Sequence, residues 1–163
     1  MKFLTNINDE KYTEFIKNHK HGNMMQAIEW SHIKNTWVAV RVAVADENDN
    51  ILAAVQILTR QGLWYAPRGP ILDYDNTELL NFFLTNLKKF AKDKGAKMVK
   101  LDIPTAVKDE KLAVFKDIEV DRENNSLIKA FKDNGYKHKG FSLDMSSTIQ
   151  PRFNTVTKLE QEV

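Results

Sequence analysis

The sequence predicts an α/β fold in which a mixed sheet carries helices on both faces. Three observations support this. Two β-branched runs flank a polar turn, a long amphipathic helix follows them, and strand and helix signals alternate again toward the C-terminus. The 163 residues suffice for one domain with its own core. No repeat, low-complexity tract or Pro/Gly-rich linker marks a boundary within 1–163. Hydrophobic residues make up 42% and charged residues 28%, a globular rather than a disordered balance. Cysteine is absent, which excludes a disulfide framework, thiolate metal sites and thiol nucleophiles. No stretch approaches the roughly 20 apolar residues needed to span a bilayer. The opening MKFLTNINDEKY lacks the pattern of a cleaved leader, so a soluble, cytosolic protein is expected. A net charge of +2 is too weak to indicate nucleic-acid binding by bulk electrostatics. The lysine-rich stretches 88–100 and 129–139 read as solvated helix ends.

Each element has its own signal. Tyr12, Phe15, Ile16 and His19 recur at i, i+3, i+4 and i+7, predicting a helix over 9–19. Asn8 or Asp9 supplies a short acceptor for its free N–H groups. Gly22 and Asn23 break the chain before a short helix over about 26–34. The run from Trp37 to Arg60 reads as a long hairpin turning at Asp46–Asn50. Leu63–Tyr65 makes a third antiparallel strand, ended by Pro67, Gly69 and Pro70. Residues 76–94 place Leu79, Leu80, Phe83, Leu84, Leu87, Phe90 and Ala91 along one helical face. There Asp75 and Glu78 resemble a capping box, and Gly95 suits a C-terminal stop. Met98–Asp102 is predicted as a buried strand, 105–120 as irregular with a short helix at 109–116, and Asn125–Asn134 as a helix ended by Gly135. Further strands are predicted at Tyr136–Phe141 and Phe153–Leu159. This order matches the acyl-CoA N-acyltransferase (GNAT) type of fold.

Three segments, in this order, resemble the Fem family of peptidoglycan aminoacyltransferases. The first is Phe15…His19…Gly22-Asn23…Gln26…Trp30…Lys34…Trp37, the second Tyr65-Ala66-Pro67-Arg68-Gly69-Pro70, and the third Thr148-Ile149-Gln150-Pro151-Arg152. Lys100-Leu101-Asp102 and Asn134-Gly135-Tyr136 also fit. The chain departs from the family where Ile103 intervenes before Pro104, and the charged stretch 106–123 reads as a variable loop. The resemblance implies a GNAT-like domain over 1–163, the first of two in tandem in a longer protein. It implies transfer of an amino acid from aminoacyl-tRNA to the stem peptide of a peptidoglycan precursor, building the interpeptide bridge. That chemistry needs neither a metal nor an organic cofactor. The implied partners are aminoacyl-tRNA and the precursor, as UDP-MurNAc-pentapeptide or in lipid-linked form. The implied location is the cytoplasm, or peripherally the inner face of the membrane. In the family, the first domain is completed by a segment returning from the far C-terminus. Without that segment self-association is expected, with Phe153–Leu159 available to pair.

The same resemblance assigns candidate residues. Lys34 sits at the family position associated with the nucleotide-sugar phosphates of the precursor, where an ammonium is a suitable point charge. Asn35, Thr36 and Trp37 continue that loop as further substrate contacts. Arg68 and Arg152 lie beside prolines; a guanidinium fork suits phosphate or carboxylate and serves equally to tie loop carbonyls. Asp102 is the candidate general base or orienter of the amine, although strand-end aspartates also cap turns. His19, His21, His32 and His138 show no metal-ligand spacing. Phe82, Phe83, Phe90 and Phe131 read as core rather than as a base-stacking platform. Two other functions compete. A free-standing acetyl-CoA-dependent N-acetyltransferase would need a glycine-rich pyrophosphate loop, and neither Gln61-Gly62 nor Arg68-Gly69 has its spacing. A non-catalytic module that binds precursor or tRNA is the other.

Overall fold

In the computed structural model, which describes residues 1–105 and 125–140, the chain opens with strand β1 (Lys2–Leu4) and helix α1 (Asp9–Asn18). A 3-10 turn at Met24–Gln26 and helix α2 (Ile28–Ile33) lead into the hairpin of β2 (Val38–Ala45) and β3 (Ile51–Arg60). Strands β4 (Leu63–Ala66) and β5 (Ile71–Leu72), helix α3 (Thr77–Asp93), strand β6 (Met98–Leu101) and helix α4 (Ser126–Asp133) follow. The sheet order is β1-β2-β3-β4-β6, with β5 also on β3. Every pairing is antiparallel except β4 with β6, which is parallel and reached through the crossover helix α3. The result is a mixed sheet flanked by helices, as the sequence predicts.

The hairpin separates two cores by alternation. Register pairs Val42 with Val55 and Val44 with Ala53, and these side chains pack with Leu80, Phe83 and Leu87 of α3. The intervening pair, Ala43 with Ala54, faces the other way, onto Tyr12 and Ile16 of α1. Small side chains there let α1 approach the sheet closely, and Tyr12 is wholly buried. Helix α4 joins the α3 layer: Ile128 is buried, and Leu127, Ala130 and Phe131 pack against the same core.

Caps set the helix ends. Asn8 accepts hydrogen bonds from the N–H groups of Glu10 and Lys11. For α3 the cap is Asn76 rather than the predicted Asp75: its Oδ1 accepts from the Leu79 N–H at 3.0 Å. Gly95, at φ 78°, closes α3 with N–H bonds from Gly95 to Lys92 and from Ala96 to Ala91, a Schellman arrangement.

Four expectations change. The predicted second helix divides into the 3-10 turn and α2, because Asn23 caps the turn and Ala27 is extended. Strand β6 is not buried: Met98 is 58% exposed, and among the described residues the strand pairs only with β4. No strand forms over 136–140, where Tyr136 instead packs on Phe131 and donates its hydroxyl to the Leu84 carbonyl. Strands β1 and β5, not predicted, are present. The predicted helix at 109–116, Phe141, the 148–152 segment with Arg152, and the strand Phe153–Leu159 lie outside the described residues.

Candidate functional site

The second family-like segment lies where one strand is interrupted. Strands β4 and β5 run along the same side of β3, with Tyr65 opposite Leu58 and Ile71 opposite Ala54. Six steps on one strand thus match four on the other, and the two extra residues loop out at Pro67–Pro70. The interruption leaves the Gln56 backbone of β3, which is in register with Arg41 of β2, without a strand partner on its other side. The fully buried Gln26 carboxamide takes that place. Its Oε1 accepts from the Gln56 N–H at 2.8 Å, and its Nε2 donates to the Gln56 carbonyl at 3.1 Å and to the Pro67 carbonyl at 2.7 Å. Tyr12 donates its hydroxyl to the Gln26 backbone carbonyl at 2.7 Å. The Gln56 side chain continues the network, donating to the Ala27 carbonyl and accepting from Arg41, which in turn pairs with Asp9. Gln26, Gln56 and Tyr12 are buried and Arg41 partly so, all of them bonded, while Asp9 closes the chain at the exposed surface.

Above this network the loop presents Arg68 to Asp102. Arg68 has a left-handed backbone, φ 50°, at a cost of about 1–2 kcal/mol for a residue with a Cβ. In that conformation its N–H and its charge both act on the Asp102 carboxyl, favouring the ionised form. Asp102 is held from its own side by its N–H bond to Ala66 and by a bridge to Gly69. Its Oδ2 is buried with no hydrogen-bond partner among the described residues. Burial pushes the carboxyl above the usual aspartate range, while the Arg68 charge, the Arg68 N–H and Lys100 pull it down. Lys100 lies over the Tyr65 ring at 5.0 Å, its pKa lowered by burial and raised in part by Asp102. Tyr74 donates its hydroxyl to the Pro70 carbonyl, with His21 edge-on to its ring.

Lys34 ends α2, its N–H bonded to Trp30 and its carbonyl accepting from the Trp37 N–H at 2.9 Å. Lys34, Asn35 and Thr36 are all exposed on that turn. The Lys34 ammonium stands over the Trp30 ring at 5.4 Å, and the Arg60 guanidinium over the Trp37 ring at 6.0 Å. Two cations and two indoles therefore frame one four-residue turn. The indole Nε1 of Trp30 is buried without a partner among the described residues.

The predicted residues thus form two groups. Lys34, Asn35, Thr36 and Trp37 sit where α2 enters β2, at the end of the sheet marked by the Val38–Thr59 pair. Arg68 and Asp102 meet beside the middle of β3. Sequence reasoning missed Arg60, whose only signal is a basic residue at a strand end. It also missed the role of Gln26, which stands within the family-like opening but 30 residues from Gln56. Among the described residues no group of three or more His, Asp or Glu side chains is placed to hold a metal.

Comparison with known proteins places this geometry in a family. The FemAB family model matches residues 7–162. A lipid II:glycine glycyltransferase of Staphylococcus epidermidis is 32% identical over 165 residues, covering 96% of this chain and 36% of that protein. One of Staphylococcus aureus is 31% identical over 164 residues, covering 95% and 35%. The crystal structure of FemX superimposes with a TM-score of 0.68 at 31% identity, covering 93% of this chain and 36% of that one. The chain belongs to the FemAB family and spans about a third of the length of these relatives.

Proposed function

We propose that this chain is the first, GNAT-like domain of an aminoacyltransferase that moves an amino acid from aminoacyl-tRNA onto the stem peptide of a peptidoglycan precursor. The observation that carries the reading is its 32% identity, over nearly all its length, to proteins named lipid II:glycine glycyltransferase. The work would be done in the cytoplasm, at the inner face of the membrane when the precursor is lipid-linked. Among the described residues, no helix is long and apolar enough to cross a membrane.

In the proposed reaction an amine nitrogen attacks the carbonyl carbon of the aminoacyl ester. A C–N bond forms, the C–O bond to the ribose breaks, and the tRNA hydroxyl leaves with a proton. The amine must first lose its own proton, and a carboxyl raised by burial is a better acceptor than an ordinary one. Asp102 fits that role, its Oδ2 having no competing donor among the described residues. Lys34 is the proposed phosphate contact, with Asn35, Thr36 and Trp37 around it and Arg60 as a second cation beside the turn. Arg68 orders the loop that faces Asp102, and Arg152 is proposed as a further anion contact.

In the complete enzyme Lys34→Ala should raise the acceptor KM about tenfold, the worth of one charge-assisted contact, with the melting temperature unchanged. Steady-state kinetics against the precursor test this. An unaltered KM removes Lys34 from the site.

A further inference from the structure

We infer that Gln26 is a positioning residue: its side chain stands in for the missing strand beside Gln56 and holds the Pro67–Pro70 loop so that Arg68 meets Asp102. The inference rests on reading Arg68 and Asp102 as site residues, but its geometry is independent of that reading. A looped-out segment between two short strands is not held by the sheet ladder, since β4 ends at Ala66 and β5 begins at Ile71. Among the described residues, three sets of contacts hold it. One is the Gln26 bond to the Pro67 carbonyl at 2.7 Å, another the Tyr74 bond to the Pro70 carbonyl, and the last the Asp102 contacts with Arg68 and Gly69. The first comes through a carboxamide whose other bonds clamp it to β3. Gly69 shows how closely the parts fit. A Cβ placed there would lie 2.7 Å from the Gln26 carboxamide carbon and nitrogen, so only glycine permits the approach.

A carboxamide suits this task because it carries a donor and an acceptor side by side, as a peptide group does. It bonds both polar groups of Gln56 and retains one N–H for the loop. Methionine matches its length and offers neither group. With Gln26→Met the loop should lose its hold on the Arg68 backbone, while the α3 face of the sheet stays packed.

The test reads the Arg68–Asp102 contact directly by NMR in the 163-residue chain. The Arg68 amide proton should shift as Asp102 titrates, with Lys100 and Tyr74 as the neighbouring titratable groups and Asp102→Asn abolishing the response. Gln26→Met should abolish it too. Gly69→Ala, which keeps Gln26 but drives a methyl into it, should do the same and serves if Gln26→Met does not fold. Leu87→Ala, which loosens the opposite face of the sheet, should leave the response intact. A response that survives in Gln26→Met or Gly69→Ala overturns the inference, as does its loss in Leu87→Ala, which would make it a mark of general loosening. In the complete transferase, Gln26→Met should lower kcat about tenfold and leave the precursor KM within about twofold, as misplacement of reacting groups does. Loss of the NMR response with kcat unchanged would keep Gln26 as the loop's anchor and remove Asp102 from the chemistry.

Discussion

At the scale of single residues, the histidines beside the loop make the fold sensitive to mild acid. Burial lowers the pKa of His19 and of His21 from the ordinary 6.5, and the nearby Lys20 charge adds to this while Asp73 opposes it. The His21 N–H donates to His19 Nδ1 at 3.1 Å, a bond available only while that nitrogen is unprotonated. A group whose pKa is lower in the folded state adds stability above its unfolded value and loses it as pH falls through the folded one. Thermal unfolding should therefore show a lower midpoint at pH 5 than at pH 7.5, and His19→Asn with His21→Gln should flatten that window. A second decline belongs below the ordinary carboxylate value of 3.8. There the hydrogen bonds of Asp46 with Asn50 and of Asp73 with Lys20 hold both carboxyls low. Unfolding midpoints across pH 3–8 check both, and a profile flat from pH 7.5 to 5 contradicts the histidine argument.

At the scale of elements, what was legible in the sequence follows from length and period. Helix α3 has seventeen residues, enough for a 3.6-residue repeat to declare itself, and the hairpin strands alternate over eight and ten. Strands β1 and β5, of three and two residues, are too short to show any period and exist because neighbours complete them. The same limit divides the site. The Lys34–Trp37 turn and the Pro67–Pro70 loop are continuous in sequence and could be named from it. The Gln26–Gln56 link and the Arg60–Trp37 stack are made by tertiary packing and have no linear signature. The ends of α3 provide a quantitative check. Asn76→Ala removes one capping acceptor and should cost about 1 kcal/mol. Gly95→Ala should cost about the same for another reason: nothing lies within 4 Å of the added methyl, so only the positive φ resists it. Chemical denaturation of the two variants and of the pair should give nearly additive losses, since the sites are far apart along the helix.

For the molecule as a whole, the relatives' length sets the expectation. This chain corresponds to about a third of each, and the proposed activity is that of the whole enzyme. The 163-residue chain should fold cooperatively, yet show no measurable transfer with charged tRNA and precursor under conditions where the complete enzyme turns over. Robust transfer by this chain alone would mean that one domain suffices. The carboxamide that stands in for a strand also bears on how the molecule comes apart. A sheet bonded only by backbone frays from its rims inward, because each rung is braced by the next. Here the central strand has one rung whose far end is a side chain rather than a backbone, so loss of the Gln26 rotamer would open a seam at the middle of the sheet while both ends remain zipped.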